Sequence, residues 1–293
     1  MENNKTIIPP IKSNGIKTKL IPWINSVIEL SGVDLNTANW VEPFFGTGVV
    51  GINSIVSNGK HIIGDGNPHI INFYKALQDK SITPEIVRNY LEDASPKLAS
   101  AGNEGYDYYR EVRTRFNKNH EPLDFLFLSR SCFNGLMRFN RYGEYNVPFC
   151  KNPNRFTPAY ITKICNIVKN TQDVILNGNW EFNNQDFTET IKRAKAGDII
   201  YCDPPYFGLS ADYFNGWTAE NEETLYNALK NTKAKFIMST WARTDYKQNE
   251  MIDKFWKEFN IIEKEHFYFI GSHEEYRHSV IEVLITNFDI ENK

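Results

Sequence analysis

The chain has 293 residues, 41% of them hydrophobic, enough for a sizeable core in one large domain or two smaller ones. Its formal net charge of -3 argues against a uniformly basic nucleic-acid binder, and no run approaches the roughly 18 consecutive apolar residues of a membrane span. The opening MENNKTIIPPIKS lacks the apolar core of a secretory signal, and Cys132, Cys150, Cys165 and Cys202 form no CxxC pair, so a cytoplasmic protein with free thiols, no metal and no membrane partner is expected.

The first recognisable elements are ANWVEPFFGTGVVGINSIV, a short strand, a glycine turn and a helix start, and KHIIGDGNPHIINFYKALQ, a strand ending in Asp65 with a helix behind it. This is a βαβ opening. Residues 46–51, GTGVVG, match the GxGxxG of dinucleotide binding, with Asp65 at about the distance of a ribose-binding acid. Glu42, however, stands where a pyrophosphate would settle, and its charge opposes that ligand.

From about 71 to 157 the pattern turns helical. Thr83-Pro84 reads as a helix cap with Pro in the first turn, and YDYYREVRTRF and EPLDFLFLSRS carry helical spacing. LMRFNRYGEYNVPF reads as a β-hairpin around Arg141-Tyr142-Gly143-Glu144. Positive charge collects here: Arg110 to Arg155 holds nine basic residues against four acids, and the first twenty residues add four lysines against one glutamate. On charge alone a solvated helical face and a polyanion-binding surface are equally open readings.

Thr157-Pro158 starts another helix, followed by strands at WEFNNQ, DIIYCD, KFIMST and the final pair HFYFIG and SVIEVLITNF. The expected architecture is an α/β, Rossmann-like sheet closed by a C-terminal antiparallel hairpin. Residues 1–70 and 158–293 supply it, and 71–157 form an inserted, mostly helical subdomain with a β-hairpin.

The strand DIIYCD runs into Asp203-Pro204-Pro205-Tyr206, at the carboxyl edge where open α/β sheets bind ligands. Two prolines stiffen the backbone and remove two N–H donors, leaving acceptors flanked by a carboxylate and an aromatic ring. Such a site suits a planar group with an exocyclic NH2: Asp203 and the Pro204 carbonyl hold its protons while Tyr206 stacks on the ring. Fixing both protons out of plane aims the nitrogen lone pair at an electrophile, with no covalent enzyme intermediate. A tight proline turn ending a strand is the plain structural reading of the same four residues.

Taken with VEPFFGTG, IKSNGIK at residues 11–17, RSCFNG, NVPFCKNPNRF and KEHFY, the strand-end DPPY resembles the Dam family of DNA adenine-N6 methyltransferases over nearly the whole chain, and most of all its EcoRV-type modification methylases. The resemblance implies a Rossmann-like methyltransferase fold and S-adenosylmethionine (SAM) as cofactor. Glu42 and Asp203 suit its sulfonium charge, Gly46 and Gly48 let the backbone approach it, and Asp65 suits the ribose hydroxyls. Ser13 and Lys17 fall at cofactor-contacting positions, with Ser13 where the family has a tryptophan. Phe44 beside the glycines, and Asp186 and Phe187 at the end of a further strand, join the cofactor set; Phe187 also fits the core.

The same resemblance implies that the target adenine of double-stranded DNA is flipped out of the stack. Phe133 then enters the vacated stack with Asn134 beside it, unless Phe133 is a core residue. Arg138 reads a guanine, Lys12 reads the first base, and Leu136 and Pro148 make apolar base contacts. Arg141, Lys151 and Arg155 are phosphate contacts. A GAT-containing palindrome of the GATC or GATATC type is implied, with a cognate restriction endonuclease as a partner that need not touch the enzyme. Competing readings are a SAM-dependent N-methyltransferase acting on RNA or a protein amide, and a non-catalytic DNA-binding module.

Overall fold

Strands form at β1 (Trp40–Glu42), β2 (Lys60–Asp65), β3 (Asn179–Asn184), β4 (Ile199–Cys202), β5 (Lys235–Thr244), β6 (Asn260–Phe269) and β7 (Arg277–Thr286) in a computed structural model that describes residues 6–13, 15–208, 216–269 and 277–290. They make a seven-stranded sheet in the order β3-β2-β1-β4-β5-β7-β6. β1 pairs parallel with β2 and β4, and β4 pairs parallel with β5. β7 runs antiparallel to both β5 and β6, which is the C-terminal hairpin expected from the sequence. The α/β, Rossmann-like architecture is therefore the one observed. Continuous apolar runs explain the central strands, since all of β1 and β4 is buried. β6 starts six residues ahead of the expected HFYFIG because the ladder with β7 already begins at Asn260 opposite Thr286. Ile270 and Gly271 of that expected strand lie outside the described residues.

Helices span α1 (Ile21–Glu29), α2 (Val49–Ile52), α3 (Pro68–Gln78), α4 (Pro84–Ser100), α5 (Tyr106–Asn119), α6 (Pro122–Ser131), α7 (Pro158–Asn177), α8 (Phe187–Ile191) and α9 (Ala219–Lys230). Both Thr-Pro starts behave as read: Thr83 accepts from the Ile86 N–H at 3.2 Å and Thr157 from the Tyr160 N–H at 3.3 Å, each with Pro at the first position. The helix α9, closed by a Thr218–Asn221 capping box, was not anticipated.

By contact density the chain divides into two units. The first comprises Met1–Ile21, Phe45–Ser54 and Asn67–Asn184, and the second Pro22–Phe44, Ile55–Gly66 and Gln185–Lys293. Aromatic pairs dominate the first core, with Phe116 stacked on Phe125 (5.5 Å) and Phe127 on Phe156 (5.0 Å). The second is built from sheet residues such as Val41, Ile200, Phe236 and Val283, under Leu225 and Leu229 of α9.

One expectation is corrected. Residues 136–149 follow a hairpin path but form no ladder strands: only isolated antiparallel bridges occur, Cys132 with Phe149 and Phe139 with Tyr145. One backbone bond forms on each side of the Phe139–Tyr145 bridge, from Asn140 N–H to the Glu144 carbonyl at 2.8 Å and from Asn146 N–H to the Arg138 carbonyl at 3.2 Å, but side chains have taken the reciprocal groups. Asn140 Oδ1 accepts from the Glu144 N–H, the Arg138 guanidinium donates to the Asn146 carbonyl at 3.3 Å, and Pro148 has no N–H to give; Asn117 bonds the N–H and carbonyl of Tyr145 on the outer edge.

Candidate active site and nucleic-acid interface

In the second unit, Glu42 ends β1, Asp65 ends β2 and Asp203 follows β4. These strands are parallel neighbours, so the three acids line one edge of the sheet. Glu42 is buried and accepts from Trp40 Nε1 at 2.8 Å. Burial raises the Cys202 thiol well above its ordinary value, and the charges of Glu42 and Asp203 push the same way. Three carboxyl groups are thus gathered at this end of the sheet.

Aromatic rings stand at the same edge. Phe44, Phe187 and Trp217 form a triangle with ring centroids 5.2, 5.5 and 5.5 Å apart. Trp217 was not singled out from the sequence; its indole N–H donates to Glu222 at 2.5 Å, and Glu222, raised by burial and lowered by its bonds to Trp217 and Trp256, also accepts from Trp256. Asp186 and Phe187 follow the end of β3 at Asn184, as expected, and also start α8, where Asp186 caps the helix through Thr188 N at 2.9 Å. Phe187 is 9% exposed and belongs to the core cluster, so it is a packing residue with one face toward Phe44 and Trp217.

Tyr206, Phe207 and Gly208, in the segment after β4, are held by side chains distant in sequence. The Tyr206 hydroxyl donates to Glu282 at 2.5 Å and lies 3.4 Å from Ser239 Oγ. Trp241 Nε1 donates to the Phe207 carbonyl at 3.0 Å, and Lys247 Nζ to the Gly208 carbonyl at 2.7 Å. Pro204 is buried while Asp203, Pro205 and Tyr206 are half-buried. What results is a turn tied down at Tyr206, Phe207 and Gly208 that carries a carboxylate and an aromatic ring.

In the first unit the glycine turn has the geometry its sequence demands. Gly46 and Gly48 take φ values of 54° and 78°, the left-handed region where a side chain is strained. A Cβ on Gly48 would stand 2.5 Å from the Phe45 ring, whereas one on Gly46 would meet open space. Tyr74 fixes the turn by donating to the Thr47 carbonyl. Lys17 is buried, and its ammonium donates to the Gly15 carbonyl at 3.2 Å. Lys12, Ser13 and Asn134 come together on a cavity of ≈ 210 Å³ that Arg130 and Gly135 also line. Arg130 is buried there on the carbonyls of Pro9 and Pro10. Although burial raises the Tyr160 hydroxyl, the cations Arg130, Lys12 and Arg155 outweigh it and leave that group below its ordinary value.

Phe133 is 49% exposed, so the core alternative does not hold. It is presented by a tight turn in which Asn134 (φ 52°) and Gly135 (φ 66°) are left-handed, while its N–H donates to the Pro148 carbonyl at 2.8 Å. Leu136 is half-buried and Pro148 exposed. Arg138 is steered by Asn146, whose Oδ1 accepts from its Nε at 2.9 Å. Arg141 stacks on Tyr142 at 4.7 Å, both exposed, and Lys151 is exposed at a φ of 57°. Arg155 differs from its expected role, since it donates to the Arg130 carbonyl (2.8 Å) and to Tyr160 (3.1 Å) and therefore braces the backbone. Arg115 is likewise committed, bidentate to buried Asp124 at 2.8 and 2.6 Å. Part of the positive charge counted in the sequence is thus structural.

Strand order, reversed β7 and an acidic Pro-Pro-aromatic turn after β4 define an α/β protein of the Rossmann-like methyltransferase class. Residues 13–270 match the family described as D12 class N6 adenine-specific DNA methyltransferase, and the chain belongs to that family. It is 29% identical over 301 residues to the type II methyltransferase M.FokI of Planomicrobium okeanokoites, covering 98% of this chain and 44% of that protein. Against the DNA adenine methylase of Haemophilus influenzae it is 33% identical over 187 residues (62% of this chain, 59% of the relative), and against that of Escherichia coli 31% over 195 residues (63% and 64%). The chain spans about half the length of the relatives it matches, at 44%, 59% and 43% for M.FokI, the Haemophilus methylase and the modification methylase StsI of Streptococcus sanguinis. Among the described residues no group of three or more His, Cys, Asp or Glu is arranged to hold a metal ion, and no helix is long and apolar enough to cross a membrane.

Proposed function

We propose that the protein transfers a methyl group from SAM to the N6 of adenine in double-stranded DNA, at a short site that contains GAT. The observation carrying this reading is the turn Asp203-Pro204-Pro205-Tyr206, fixed at the carboxyl end of β4 with its aromatic ring pinned through the hydroxyl. The donor set at that edge of the second unit fits SAM: three acids suit a sulfonium and a ribose, and the Phe44 and Trp217 rings, backed by Phe187, suit an adenine. Ser13 and Lys17 would serve the methionine part. Bound SAM supplies an electrophilic methyl.

This chain's residues then do the rest. Asp203 and the Pro204 carbonyl accept hydrogen bonds from the two amino N–H groups of a flipped adenine, Tyr206 stacks on its ring, and the nitrogen lone pair turns out of conjugation toward the methyl; one of the two protons is released once the nitrogen carries the methyl. Residues 71–157 act as the recognition insert. Exposed Phe133 fills the space the adenine leaves, Arg138 reads a guanine, and Arg141 and Lys151 hold phosphates. Lys12 and Asn134 face the stack from the cavity they share, and Leu136 and Pro148 supply apolar base contacts. The names of M.FokI and StsI support a place in a restriction-modification system. As part of the same proposal, the protein acts in the cytoplasm on a GATC or GATATC type of site, paired with an endonuclease it need not touch.

Methylation-sensitive sequencing of DNA from cells expressing the protein tests this directly. N6-methyladenine at one recurring short sequence is expected. Methyl groups on RNA or protein, with unmodified DNA, would overturn it.

A further inference from the structure

We infer that Glu282 is the positioning residue for Tyr206, fixing the axis along which the ring points and so the place of the ring on which the target base stacks. The inference rests on the reading of Asp203–Tyr206 as the target-base site. Glu282 lies in the middle of β7, with neighbours Val283, Leu284 and Ile285 fully buried, and is itself 0% exposed. A carboxylate in that position must surrender its hydration, which costs several kcal/mol unless a partner compensates. Val or Leu would serve a strand at this place better, so the acid calls for a local reason. The Tyr206 hydroxyl provides one, donating to Glu282 Oε2 at 2.5 Å, within the range of charge-assisted O–H···O⁻ bonds.

The sheet register makes this a directed contact. Glu282 is the cross-strand partner of Trp241, and Ser239 that of Leu284, so Ser239, Trp241 and Glu282 share one face of the sheet. Each of the three reaches the segment after β4: Glu282 and Ser239 toward the Tyr206 hydroxyl, Trp241 to the Phe207 carbonyl. β5 shifts register between Trp241 and Arg243, and just beyond that irregularity Lys247 takes the Gly208 carbonyl. Backbone ties alone would locate the turn but leave the tyrosine ring free to swing about its χ angles. A bond at the far end of the ring fixes the direction of its axis, and Glu282 supplies that bond from a strand that cannot move without breaking two ladders. Because the base stacks on the ring face and not on the hydroxyl, Glu282 acts through Tyr206 and touches neither substrate.

The test is single-turnover methyl transfer at saturating SAM and DNA, with 2-aminopurine at the target position reporting stacking. Glu282→Leu should slow transfer roughly tenfold to a hundredfold, with SAM and DNA affinities held, since misplacement by about an ångström is enough for such a loss. Glu282→Gln, which keeps an acceptor at the same reach, should recover most of the rate. Tyr206→Phe retains the ring and loses the hydroxyl, so it should reproduce the slow rate and brighten the 2-aminopurine signal. The double variant Tyr206→Phe/Glu282→Leu should be no slower than either single one. A wild-type rate in Tyr206→Phe overturns the inference, and this variant decides even where Glu282→Leu fails to fold. Multiplying losses in the double variant overturn it too. If the unaltered protein methylates no DNA, it is the reading of the site that falls.

Discussion

The turn after β4 and the segment from Cys132 to Arg155 hold their functional side chains in opposite ways. The first hangs from a sheet: four side chains from β5, β7 and the loop after β5 hold Tyr206, Phe207 and Gly208. The second has no ladder, and its path is set by asparagines, a left-handed Asn-Gly turn and two isolated bridges. Phe133, Arg141, Tyr142, Pro148 and Lys151 all stand exposed on it. The contrast fits the two proposed tasks. In-line transfer needs a geometry that does not relax, while reading a groove needs side chains that reach out of the protein and adapt to another molecule.

The largest test of that contrast is Asp203→Ala. Single-turnover transfer should fall by roughly a hundredfold to a thousandfold, with DNA affinity changed little, because the lost interaction grows as the amino nitrogen leaves conjugation. SAM affinity is measured separately by calorimetry. An unaltered rate would mean that the turn does not hold the reacting group. Arg138→Ala addresses the pliable segment and should remove about 1–3 kcal/mol of discrimination at one base pair. Relative rates over a set of single-base variants of the site check it; an equal loss on every variant would leave Arg138 with no reading role.

Smaller effects follow where the first unit is itself rigid. Gly48→Ala forces a side chain into left-handed backbone and against the Phe45 ring, so unfolding in urea should show a loss of at least about 1–2 kcal/mol at constant m. Unchanged stability would show that the turn yields as readily as the exposed segment. Lys151→Ala should be smallest, weakening all DNA sequences alike and lowering the slope of log affinity against log salt by about 1. A sequence-selective loss would move Lys151 from phosphate to base.

Legibility in the sequence follows the same division. The glycine turn and the two Thr-Pro starts were readable because each is settled by adjacent residues, whereas Asp203–Tyr206 is visible as a motif but the contacts that tie it come from β5 and β7. Alternation in LMRFNRYGEYNVPF gave the reversal of the chain but not its bonding, since Asn117 lies 28 residues from the Tyr145 it satisfies. Glu282 is 76 residues from Tyr206, and Trp217 meets Phe44 and Phe187 only in three dimensions. One cue did exist: a lone acid in VIEVLIT is hard to explain in a buried strand.

Cys202 shows a further effect of packing at the end of β4. A thiolate is a far stronger nucleophile than the amino group of adenine, and one beside a bound sulfonium donor would take the methyl itself, ending that molecule's working life. Cys202 lies fully buried in the apolar core, and burial first, with the charges of Glu42 and Asp203 adding to it, raises its thiol well above the ordinary value, so the packing of the core keeps this sulfur away from its nucleophilic form.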